Sequence, residues 1–191
     1  MRQQSAESKV QDAENEVISA IAETMDLYGI TPSIGRLYAT MYFKHDSMTL
    51  DEMKDELGMT KPSMSTAVRN LQDIQIVRKT WQRGSRKDHF TAEKDFFNYF
   101  TRFFGNKWKR EAELNLFAIH EAQKELQDVL DEGNIEEHLR GRAEKDLEQL
   151  NEYEKYCYWL QKLVGAMESG EIFDLLPVDE VNNRNPGAGG K

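Results

Sequence analysis

At 191 residues and 39% hydrophobic, the chain is long enough for a real core, as one domain or one domain with a dimerisation extension. Its 31% charged residues leave no apolar run long enough for a membrane span, and Met1-Arg2-Gln3-Gln4-Ser5 opens a polar stretch rather than an apolar leader. One cysteine, Cys157, excludes an intramolecular disulfide and a multi-cysteine metal site, so a cytoplasmic protein is expected, and the net charge of −9 argues at first sight against a nucleic-acid partner.

Residues 1–8 are expected to fray. From Lys9 to Leu27, Val10, Val17, Ile18, Ile21 and Met25 form a helical stripe, and residues 1–30 read as an N-terminal helix contributing to dimerisation. Gly29 to Ser33 is a turn containing Pro32. The run from Ile34 to Phe43, with Leu37, Tyr38, Met41 and Tyr42, reads as a short and mostly buried helix.

The segment 31–92 reads as a winged helix-turn-helix. Thr49 followed by Glu52 is a capping box, and Leu50, Met53 and Leu57 make a narrow apolar stripe. Gly58 supplies the left-handed residue that ends this helix. Thr60 caps a second helix, in which Pro62 is tolerated because it lies in the first turn. Met64, Val68 and Leu71 point inward. The outward face carries Lys61, Pro62, Ser63, Ser65, Thr66, Arg69 and Asn70. Short side chains allow close approach to a major groove, hydroxyls suit phosphates and base edges, and Arg69 can grip guanine. Ile76 to Trp81 reads as a strand and Arg86 to Thr91 as its return, joined by the turn Arg83-Gly84-Ser85. Arg83, Arg86 and Lys87 at the tip make a wing that straddles the DNA backbone.

The charge distribution removes the objection raised by the net charge. Residues 1–60 hold 5 basic against 11 acidic side chains, residues 61–110 hold 12 against 4, and residues 111–191 hold 8 against 19. Screening acts over about 8 Å at physiological salt, so the basic block can face phosphates while acidic helices face away.

Residues 93–178 read as a helical dimerisation and effector-binding region. Thr91 is expected to cap a long helix whose aromatic residues form adjacent rows, Phe96, Phe100 and Phe103 beside Phe97, Phe104 and Trp108, with a bend at Gly105. The stripe continues through Leu114, Phe117, Ala118, Leu126 and Leu130. After Asp131-Glu132-Gly133-Asn134, a last helix from about Ile135 to Ser169 carries Leu139, Leu147, Leu150, Tyr153, Cys157, Leu160, Val164 and Met167. Gly170 to Pro177 is an apolar lid or strap, and the tail 179–191 is expected to be disordered. The fold class is therefore mainly α: a winged helix-turn-helix with long N- and C-terminal dimerisation helices. A homodimer would bury the long stripes and present two recognition helices about 34 Å apart on a pseudo-palindromic operator in double-stranded DNA.

Pro32-Ser33-Ile34-Gly35-Arg36-Leu37-Tyr38, Leu50-Asp51-Glu52-Met53, Lys61-Pro62-Ser63-Met64-Ser65, Arg83-Gly84-Ser85-Arg86-Lys87, Lys94-Asp95-Phe96-Phe97 and Gly170-Glu171-Ile172-Phe173 together resemble the GbsR branch of the MarR-type repressors, over nearly the whole chain to about Val178. That branch is similar in role to the OpcR regulators. The resemblance implies an osmostress regulator that represses genes for choline uptake and glycine betaine synthesis and is relieved by choline. A quaternary ammonium has no N–H to donate, so proteins enclose it with aromatic faces. Tyr42, Phe97, Phe100, Phe104 and Trp108 are the candidates for such a cage. A MarR-type regulator answering to an aromatic acid is the alternative, with Arg102 or Lys107 as its cation. A protein–protein adaptor docking through the aromatic helix is a third reading. The scattered His45, His89, His120 and His138 form no metal or catalytic motif, so neither an enzyme, a metal site nor a cofactor is expected.

Overall fold

The structure, a computed structural model, describes residues 5–178. Its elements are α1 (Ala6–Leu27), α2 (Pro32–Phe43), β1 (Met48–Thr49), α3 (Leu50–Leu57), α4 (Lys61–Asp73), β2 (Val77–Thr80), β3 (His89–Ala92), α5 (Phe96–Asp131), α6 (Glu137–Ser169) and α7 (Glu171–Leu175). The tail expected to be disordered, 179–191, lies outside the described residues, as do residues 1–4. The chain divides into two compact units, Met1–Phe103 and Phe104–Lys191.

In the first unit α1 starts earlier than its apolar stripe. Ser5 Oγ accepts from the Ser8 backbone N–H at 3.2 Å, and this cap makes residues 6–8, expected to fray, helical. Pro32, expected in a turn, opens α2, where its fixed φ suits a first helical turn. The two helices cross closely at Gly35: a Cβ there would lie 3.0 Å from Ala22 Cα and 3.3 Å from Met25 Cβ. Burial of Leu37, Tyr38, Ala39 and Met41 follows from that crossing.

The strands form a three-stranded antiparallel sheet in the order β1-β3-β2, with Met48 opposite Phe90 and Val77 opposite Ala92. The hairpin lies where its β-branched runs predict it, although its strands are shorter than those runs. Two-residue β1 is invisible to periodicity, because two residues have no period. Thr91 lies within β3, so it does not cap the long helix. The cap is Asp95, whose Oδ1 accepts from Phe97 N at 2.8 Å and Asn98 N at 3.3 Å. The first turns of α5 then insert an aromatic stack. Tyr99 stacks on Phe103 at 5.5 Å and on Tyr38 at 5.3 Å, and Tyr28 meets Phe103 edge-on at 6.0 Å. Burial pushes the Tyr99 hydroxyl up to about 12.

The second unit is a helical hairpin. Residues 104–131 of α5 run antiparallel to α6, as shown by His120–Glu154 at 3.0 Å, Gln123–Asn151 at 2.9 Å and Lys109–Glu168 at 3.7 Å. Leu116, Ile119 and Cys157 form its core, with Leu150 packed against them. The hairpin closes through a different row of α5 from the stripe that a partner copy is expected to bury. Leu116 and Ile119 of α5 meet Cys157 of α6, and Ala112, one turn before Leu116, is buried too. Leu114 and Phe117 lie on another face, 60% and 71% exposed. The helix passes through Gly105 without a break, and a Cβ there would meet nothing within 4 Å. Beyond Gly170 (φ +85°), the segment expected as a strap forms α7, which packs on α6. Among the described residues no helix is long and apolar enough to cross a membrane.

Candidate DNA-binding surface

The surface is built from α3, α4 and the β2–β3 wing. The capping box forms as the spacing requires: Thr49 N donates to Glu52 Oε2 at 2.7 Å, and Glu52 N donates to Thr49 Oγ1 at 3.3 Å. These bonds to Thr49 hold the Glu52 carboxyl below its usual range. Gly58, at φ +64°, ends α3 in the left-handed region. Thr60 Oγ1 then accepts from Ser63 N at 3.4 Å and starts α4. Met64, Ala67, Val68 and Leu71 bury one face of α4. That burial fixes the other face outward: Lys61, Pro62, Ser63, Thr66, Arg69 and Asn70 are exposed and Ser65 is half-buried. Thr66 Oγ1 donates to the Pro62 carbonyl at 3.2 Å, which directs its methyl and lone pairs away from the helix.

In the wing, Gly84 takes φ +85° at the turn, and Arg83, Arg86 and Lys87 are exposed around it, with Ser85 half-buried. Ser85 is a hub. Its N–H donates to Gln82 O at 3.2 Å, and its hydroxyl accepts from Lys87 N at 3.1 Å and meets His89 Nε2 at 2.9 Å. His89 is buried, with Nδ1 at 3.4 Å from Ser47 Oγ, so it ties the wing base to the segment before β1. In the sequence it is one scattered histidine among four.

Nothing in the sequence singles out Asp51. Its Oδ1 lies 2.8 Å from Lys61 Nζ at the start of α4, and its Oδ2 lies 2.9 Å from Lys87 Nζ in the wing. The hydrogen bonds from the two ammonium groups hold its carboxyl at about 2, well below the usual range, so the link is intact at neutral pH and is lost only in strong acid. Exposed pairs of this kind contribute little to stability. Their consequence is geometric: recognition helix and wing share one cationic surface. Arg86→Ala is expected to weaken operator and random duplexes by similar factors, and to reduce the slope of log affinity against log salt by about 1. A titration series at several salt concentrations reads this directly, and an unchanged slope takes Arg86 off the phosphates.

The five aromatic candidates are distributed as follows. Tyr42, half-buried, packs against Phe43 at 5.2 Å and Phe96 at 5.0 Å. It already faces a cation: Lys94 Nζ lies 5.6 Å from its ring centroid while donating to the carbonyls of Met41, Tyr42 and Lys44 at the end of α2. Burial pushes the Lys94 ammonium below its usual range. Phe97 is exposed and Phe100 half-buried. In the second unit, Phe104 packs on Trp108 at 5.3 Å. Arg102, considered for an anionic ligand, is engaged by Glu93 at 2.9 Å and by the Gln75 carbonyl at 3.3 Å. That carbonyl belongs to a residue at φ +62°, in the turn before β2.

A capped helix-turn-helix followed by a basic wing that meets it at Asp51 defines a winged helix-turn-helix transcriptional regulator. Residues 96–174 match the family model for the GbsR family transcriptional regulator, C-terminal helical hairpin. Over 170 residues the chain is 51% identical to the HTH-type transcriptional repressor GbsR of Bacillus subtilis (strain 168), covering 89% of this chain and 94% of that one. The protein belongs to the GbsR family of transcriptional repressors. It is also 30% identical over 168 residues to the HTH-type transcriptional repressor OpcR of the same organism, covering 88% and 91% of the two chains. A crystal structure of a transcriptional regulator shares the fold, with TM-score 0.61 at 16% identity over 84% of this chain and 99% of that one.

Proposed function

We propose that this repressor acts as a homodimer on genes of choline uptake and glycine betaine synthesis, and that choline relieves the repression. The observation that carries the ligand part is the aromatic face of α5. Phe97, Phe100, Phe104 and Trp108 recur at three- and four-residue intervals, which places them along one side of a single helix. Tyr42 is the fifth ring of the proposed cage; Lys94 Nζ lies 5.6 Å from its centroid, so choline would take the ring's other face. For an anionic effector, Arg102 is engaged by Glu93 and the Gln75 carbonyl, which leaves the role of its cation to Lys107, exposed on α5. The dimer accounts for the outward row of Leu114 and Phe117 and for Tyr156 and Trp159 on α6, all exposed in the single chain. Residues 31–92 then carry the DNA contacts and residues 93–178 the pairing and the effector. Choline would favour a dimer whose recognition helices no longer match the half-site spacing, and its differential affinity for the two forms limits the shift.

The test is fluorescence anisotropy of a labelled duplex from the protein's own upstream region, titrated with choline and separately with salicylate. Salt-sensitive binding released by choline alone is the expected result. Release by salicylate alone assigns an aromatic acid instead, and release by neither removes choline as the effector while leaving the repressor in place.

A further inference from the structure

Trp81 follows the last residue of β2 and precedes the wing turn, and no role in the fold accounts for it. It is 79% exposed, more than any other large hydrophobic among the described residues. Tryptophan is normally well covered, because an exposed indole forfeits more transfer free energy than any other side chain. Among the described residues its ring has no aromatic or hydrogen-bonding partner. Arg83 and Arg86 follow it within five positions around the wing turn, both exposed, while Arg78, three positions earlier on the strand, is on the opposite face. Asp51 engages Lys87, ahead of the far strand of the same wing, and His89 ties that strand to Ser47.

We propose that Trp81 is a further DNA-binding residue, its indole packing on the sugar wall of the minor groove beside the wing. The charge around it selects the occupant. A protein surface covering this ring and the adjoining turn would have to desolvate the Arg83 and Arg86 guanidinium groups, whereas duplex phosphates neutralise them on the same approach. Apolar side chains flanked by cations are a recurrent means of entering a minor groove. The contact adds affinity without releasing counterions, and that is its signature.

This inference rests on the DNA-binding reading, and the experiment keeps the two apart. Wild type, Trp81→Ala, Trp81→Phe and Arg86→Ala are titrated against the operator duplex at four salt concentrations. Trp81→Ala is expected to bind about tenfold more weakly at every salt concentration, its line parallel to the wild type's, with Trp81→Phe recovering most of the loss. Arg86→Ala changes the slope instead. Because the ring is exposed, the urea midpoint and elution volume of Trp81→Ala are expected to equal those of the wild type. Wild-type affinity in Trp81→Ala overturns the proposal, as does a changed slope. A shift in its elution volume would assign the ring to a protein contact. Failure of the wild type to bind any duplex would strike the DNA reading itself.

Discussion

Phe103→Ala is expected to cost about 3–5 kcal/mol of folding stability. Phe103 is 0% exposed, stacked on Tyr99 at 5.5 Å and edge-on to Tyr28 at 6.0 Å. Tyr99 in turn stacks on Tyr38, whose hydroxyl donates to the Glu93 carbonyl at 2.9 Å. Deleting one ring therefore removes two aromatic pairs, each worth about 0.5–1.5 kcal/mol beyond its buried area. It also leaves a cavity among α1, α2 and the first turns of α5. Domains of this kind have only about 5–15 kcal/mol in total, so the variant is expected to unfold at a much lower urea concentration. Phe103→Leu, which keeps most of the volume, is expected to lose less than half as much. An alanine variant with the wild-type midpoint would mean that the stack does not hold α5 to this unit.

The parts legible in the sequence are those set by a few adjacent residues. Thr49, Glu52, Gly58 and Thr60 mark the ends of α3 and α4 because capping and left-handed termination are local backbone chemistry. The outward side chains of α4 follow from the spacing of Met64, Val68 and Leu71, since burying one face of a helix fixes the other. What escapes a reading of the sequence depends on contacts between distant segments. Asp51 joins Lys61 and Lys87 across 10 and 36 residues, so nothing in its own neighbourhood distinguishes it from any other first-turn acid. Lys94 and Phe96 join Tyr42 from more than 50 residues away. On α5 the apolar residues form two rows. Periodicity alone does not say that Leu116 and Ile119 meet α6 while Leu114 and Phe117 face outward. Thr91 is not the expected cap for a related reason. Pairing of β3 with β2 and β1 takes its backbone into the sheet, and Asp95 inherits the role.

Trp108→Ala is expected to give a repressor that holds its operator and answers to choline only at much higher concentration. Trp108 is half-buried, with Phe104 one turn earlier packed on it at 5.3 Å and an interplanar angle of 36°. Tryptophan offers a cation the strongest ring quadrupole, worth up to about 2 kcal/mol when desolvated. Losing it from the ligand-bound form moves the choline midpoint to roughly 30-fold higher concentration. The proposed DNA surface, on α3, α4 and the wing, contains neither ring, so affinity in the absence of choline should stay within about twofold of wild type. Trp108→Phe separates recognition from packing. A smaller ring keeps an apolar contact and a weaker cation–π face, and an intermediate midpoint is expected. Thermal unfolding of both variants guards against a trivial loss, because a response abolished only by unfolding would take operator binding with it. If the release curve of Trp108→Ala overlays that of the wild type, Trp108 has no part in the cage, and the claim that α5 carries the effector falls with it.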